Sequence, residues 1–208
     1  MPDLSIITLE ALVLIVVPLL VLYLRGKWPL KITVICLFVI PVLWYLTYAP
    51  VHELSHALGT YLAGGKVIEI KLIPSFWKGE FAVAWITPVG LDRPWQKLLM
   101  SSAPYLLDLV SIIVGAVVMM RNRSRNALWV GAIFMLLSLR PTFDLVCEMI
   151  GYYNGFMGDL YNIQHIVGSV LLTSFLLVSL GLSLFFLYVI LRRYKGFFDR
   201  PPVKSKDL

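Results

Sequence analysis

Five long apolar runs decide what this chain can fold into. They cover about Leu4 to Leu24, Leu30 to Ala63, Trp95 to Met120, Ala127 to Ile150 and Asp159 to Leu191. A helix rises 1.5 Å per residue, so about 20 apolar residues cross a hydrocarbon core roughly 30 Å thick. Backbone polar groups in lipid must be satisfied internally, which leaves the helix as the natural form for such runs. The expected fold is therefore an all-α polytopic membrane protein with about five transmembrane helices. Composition agrees, with 59% of the 208 residues hydrophobic and 14% charged. The first run is too long for a signal-peptide core, has an acidic front and lacks a small-residue cleavage site, so it reads as a retained span. Pro141 marks an expected break in the fourth run. Residues 1–195 read as one integral membrane domain, and 196–208, with Pro201-Pro202 and scattered lysines, as a disordered tail.

Between the second and third runs the period changes. Gly64-Gly65 stops the helical pattern, and Ile68, Ile70 and Leu72 then alternate with Glu69 and Lys71. A turn from Pro74 to Gly79 leads into a second β-rich stretch, Phe81 to Ile86, so a small β-hairpin is expected at the membrane surface or dipping into it.

The net charge of +6 falls in clusters that flank apolar runs, which argues for membrane flanks and against nucleic acid as a partner. Arg25, Lys27 and Lys31 follow the first run, Arg121, Arg123 and Arg125 the third, and Arg192, Arg193 and Lys195 the fifth. The positive-inside rule places these groups in the cytoplasm, with the N-terminus outside and the C-terminus cytoplasmic. Lys66, Lys71, Lys78, Arg93 and Lys97 weigh on the other side. Cys36 and Cys147 lie near opposite faces in this topology and read as buried thiols.

The chemistry is concentrated in His52-Glu53-Leu54-Ser55-His56, which takes two of the three histidines in the chain. Imidazoles at i and i+4 share one helix face and can hold one Zn²⁺, with Glu53 flanking the metal as a general base. Two core histidines spaced so by chance are the bland alternative, but ionisable groups in a membrane helix are costly and usually functional. Zinc needs a third protein ligand and an open position. Asp159, at the matching depth in the fifth run, is the first candidate, its alternative role being a helix cap. Asp144 is the second candidate, its alternative an ion pair with Arg140. Asp108, Glu148 and His165 follow.

Val51-His52-Glu53-Leu54-Ser55-His56-Ala57-Leu58, followed by Gly64-Gly65-Lys66-Val67 and the strand-like Ile68 to Pro74, resembles the site-2 protease family of intramembrane zinc metalloproteases. The resemblance is close over about residues 45 to 75. Beyond it, Ser101-Ser102-Ala103-Pro104 is similar to the family's small-residue-proline start of the next core helix, and Asp159 falls where the family has its third ligand. The family's Asn-x-x-Pro and Asp-Gly pattern is absent as such, because Leu160 follows Asp159. The resemblance implies that His52, His56 and Asp159 hold Zn²⁺ and that Glu53 activates water to hydrolyse a peptide bond in or near a transmembrane segment of a membrane-protein substrate. Asn162, one turn after Asp159, becomes a candidate for orienting substrate or oxyanion. An extended substrate would add to the hairpin edge at Ile68 to Ile73. The rival class is a non-proteolytic, zinc-stabilised membrane scaffold, which would have no need of Glu53. A transporter is a third class, disfavoured by the absence of an internal repeat.

Overall fold

The computed structural model describes residues 30–73, 84–122, 127–155 and 157–194. The first apolar run, the turn of the hairpin with Phe81 to Val83, and the tail lie outside them. Helix α1 (Leu30–Leu62) is continuous through Pro50, so the second apolar run and the histidine motif form one helix of 33 residues. Gly64, at φ +83, ends it in the left-handed conformation, with Gly64 N–H donating to the Tyr61 carbonyl and Gly65 N–H to that of Thr60. The Gln96 side chain donates to the Ala63 carbonyl at 2.8 Å, tying this end to the start of the next long helix.

Strand β1 (Lys66–Lys71) pairs antiparallel with β2 (Trp85–Val89), with a bulge between Val67 and Glu69. The second strand therefore continues past Ile86, where the sequence pattern ends it. The reason is register: β1 begins directly after the α1 turn, so Lys66 and Val67 must find Val89 and Pro88 as partners. A Cβ on Gly65 would lie 2.8 Å from the Val89 carbonyl, so only glycine lets the hairpin seat against the end of α1.

Helix α2 (Pro94–Arg121) touches every other helix among the described residues and is the centre of their packing. The fourth run is continuous rather than broken at Pro141: α3 (Ala127–Phe134) passes through a π-turn, Met135–Leu139, into α4 (Arg140–Tyr153). Proline has no N–H and its ring clashes with the carbonyl four residues back, here that of Leu137. Widening the helix removes the conflict, and Arg140 N–H donates instead to the Met135 carbonyl. The Leu137 carbonyl then faces Gly115 of α2, where a Cβ would come within 2.7 Å of it. The fifth run is not one helix. Gly168, at φ +86, divides it into α5 (Asp159–Val167) and α6 (Ser169–Tyr194).

Among the described residues three helical stretches, Pro94–Arg121, Trp129–Tyr153 and Ser169–Arg193, are long and apolar enough to cross a membrane. Polarity is arranged inside out. Val170, Leu171, Leu177 and Val178 of α6 are at least 59% exposed, while Ser179 and Ser183 of the same helix are buried. On α1, Leu54, Leu58, Tyr61 and Leu62 face outward, and Ser55, His56 and Thr60 face in. The main apolar cluster, Tyr105, Leu145, Leu160, Ile163, Leu172 and Leu176, joins α2, α4, α5 and α6. Leu160 and Ile163 anchor the short α5 in it, which fixes Asp159 at the helix start.

Candidate metal centre

His52 and His56 stand one turn apart on the buried side of α1, and a different acceptor holds each ring. His52 Nδ1–H donates to Asp144 Oδ2 of α4 at 2.8 Å, and His56 Nδ1–H donates to the Met100 carbonyl of α2 at 2.9 Å. A carboxylate and a carbonyl accept but do not donate, so both protons are drawn to Nδ1 and both Nε2 lone pairs are turned toward each other. The two Nε2 atoms are 3.1 Å apart. Asp159 Oδ2 joins them from α5, 2.9 Å from His56 Nε2 and 3.6 Å from His52 Nε2. Three acceptors thus converge on one point, an arrangement that repels unless a cation or a proton lies between them.

The spacing fits a metal. Tetrahedral zinc with bonds of about 2.0–2.1 Å sets its donors roughly 3.3–3.4 Å apart, and the observed separations of 3.1, 2.9 and 3.6 Å bracket that value. His52, His56 and Asp159 are the one such group found among the described residues. Asp159 keeps 23% side-chain exposure, against 6% for His56, so the open side of the group is at the carboxylate.

Asp159 Oδ2, the third acceptor, is turned toward both imidazoles. The residue is the first of α5, and the capping position belongs to Gly158. The carboxylate therefore faces the histidines rather than serving as the N-cap. Glu53 is half-buried on α1, within electrostatic reach of His52, His56 and Asp159.

Comparison of the chain with family models, curated proteins and solved structures found no match.

Two expectations about Asp144 need correction. It is not beside the metal group, because it sits on the far nitrogen of His52. Nor is its partner Arg140, whose Nη2 pairs with Asp108 Oδ1 at 3.0 Å. The π-turn decides both, since it sets which way Arg140 and Asp144 point. Glu148 accepts from the Tyr105 hydroxyl at 3.1 Å, outside the group. His165 lies against Tyr161 with ring centroids 4.3 Å apart and the planes tilted by 43°. Together with Asn162, Lys97 and Ser101 it lines a cleft of about 520 Å³ between α5 and the loop after β2. The Met100 carbonyl was not legible beforehand, since any residue type supplies a carbonyl.

Proposed function

We propose that this chain is an intramembrane zinc metalloprotease that hydrolyses peptide bonds in or near the membrane-spanning segment of a membrane-protein substrate. The observation that carries this reading is the convergence of three ligand atoms, His52 Nε2, His56 Nε2 and Asp159 Oδ2, beside a carboxylate that is not part of the group, Glu53. His52, His56 and Asp159 would hold the ion, and the Met100 carbonyl would orient the His56 ring. Zn²⁺, when bound, supplies Lewis-acid activation of water and of the scissile carbonyl. Glu53 takes the proton from the attacking water and returns it to the leaving amine. Asn162, on the helix face after Asp159, is available to orient the substrate.

The inside-out polarity supports a lipid setting, because exposed leucine and valine surface of this extent marks contact with apolar surroundings. In this reading the apolar run before residue 30 and α1 supply two spans and the three long apolar stretches complete five, with the N-terminus outside and the C-terminus in the cytoplasm. A helical substrate hides its carbonyls in its own hydrogen bonds and must unwind to be cut. The hairpin edge at Ile68 and Ile70, which are 66% and 46% exposed, offers replacement backbone bonds.

The deciding experiment is Glu53→Gln, which keeps size and polarity and removes the base. Zinc content and folding should persist, while cleavage of co-expressed, epitope-tagged single-span proteins should fall by about 10²–10⁴-fold. Uncleaved substrate should co-purify with the variant. A substrate profile identical in wild type and variant, under conditions where deletion of the protein has an effect, would reject proteolysis in favour of the zinc-stabilised scaffold.

A further inference from the structure

Behind His52, on the side away from the three converging acceptors, lies a second group of ionisable residues that takes no part in the proposed chemistry. Asp144 and Arg140 of α4 and Asp108 of α2 are 1%, 3% and 3% exposed. Arg140 pairs with Asp108 at 3.0 Å, Asp108 is within electrostatic reach of Asp144, and Asp144 binds His52 Nδ1 at 2.8 Å. Asp144 Oδ1, Asp108 Oδ2 and Arg140 Nη1 are buried with no hydrogen-bond partner. Burying three ionisable groups with one polar atom of each unpaired is expensive, and packing alone is met more cheaply by apolar residues of similar size.

Asp144 and Asp159 face the two sides of His52, Asp144 at Nδ1 and Asp159 toward Nε2, and the backbone aims the first of them. Arg140 and Asp144 share one face of α4 at i and i+4, and the π-turn just before them sets which way that face points.

We propose that Asp144 is a positioning residue that fixes the tautomer and orientation of His52, and that the Arg140–Asp108 ion pair holds Asp144 in place. This rests on the zinc reading above. Losing the outer partner of a metal-bound histidine lowers metal affinity by about 10–100-fold.

The test is zinc Kd by chelator competition on the full-length protein in detergent, with the absorption spectrum of the Co²⁺-loaded protein as a second readout. Asp144→Asn retains an acceptor without the charge and should lose about tenfold in affinity, whereas Asp144→Ala should lose about 100-fold with an altered Co²⁺ spectrum. Arg140→Met together with Asp108→Leu removes the ion pair without stranding either charge. This double variant keeps the protein folded should Asp144→Ala fail, and its affinity should fall several-fold with Asp144 intact. Wild-type Kd and spectrum in Asp144→Asn and Asp144→Ala would overturn the proposal, even if melting temperatures fell. Wild-type affinity in the double variant would overturn the part assigned to the ion pair. A wild-type protein that binds no zinc would overturn the zinc reading itself, and this proposal with it.

Discussion

Gly59 is where the packing of two helices and the geometry of the candidate metal group meet. A Cβ there would lie 2.8 Å from Ala103 Cβ, 2.9 Å from the Leu99 carbonyl and 2.9 Å from Met100 Cα. Carbon contacts relax to about 3.5–4.0 Å, and the obstacles are mostly backbone, so Gly59→Ala must push α2 away from α1 by roughly 0.7 Å. The same stretch of α2 carries the Met100 carbonyl that accepts from His56 Nδ1 at 2.9 Å. Displacement would stretch that bond to about 3.6 Å, which is no longer a hydrogen bond. His56 would lose the contact that fixes its tautomer. Overpacking of this kind costs about 1–3 kcal/mol of stability, and zinc affinity should fall by about 10–100-fold. Denaturant unfolding in detergent reads the first quantity and chelator competition the second. Leu58→Ala, at a neighbouring position 53% exposed, is the control and should change neither by much. Zinc affinity in Gly59→Ala equal to wild type would refute the link between helix spacing and the histidine, whatever the stability did.

His52→Ala and His56→Ala each remove one of the three proposed ligands, so the roughly one zinc per chain proposed for wild type should be lost in both, as measured by metal analysis of the purified protein. Asp159→Asn should reduce affinity by more than the 10–100-fold expected for an outer partner, because an amide is a poor zinc ligand; a smaller effect than that of Asp144→Asn would exchange the two assignments. Compartment reporters fused at Arg123 and at the C-terminus should both report cytoplasm and one at Lys78-Gly79 the opposite side. A hairpin fusion and a C-terminal fusion in the same compartment would exclude the five-span arrangement.

Much of the site was legible because it is local. The i, i+4 spacing of His52 and His56 puts both imidazoles on one face of any helix they occupy, whatever surrounds it. Gly64-Gly65 foretold the end of α1, and alternation of Ile68 and Ile70 with charged residues foretold β1. Asp159 was reached by depth in the expected topology and by resemblance, and the structure brings it to His56. Local signals also misled. An apolar run has the same composition with or without a bend, so nothing in the fifth run marks Gly168, although its positive φ divides two helices. Pro141 pointed to a break, where a π-turn one step earlier absorbed the conflict.

Sequence by itself determined the motif, the helices that carry it and the apolar surface they present, since each depends on residues within a turn or two of one another. Tertiary structure alone decided what stands behind the histidines. Asp144 lies 92 residues from His52, and whether it, or Arg140, or a backbone carbonyl reaches a given ring nitrogen depends on how far each helix is rotated and how closely its neighbours approach. Those quantities are set by Gly59 and Gly115, where backbones nearly touch, and by the extra residue of the π-turn, which rotates everything after it by about 100°. A shift of one residue in that turn would leave every local pattern intact and point Asp144 elsewhere, because helical period specifies a face and only packing specifies what the face meets.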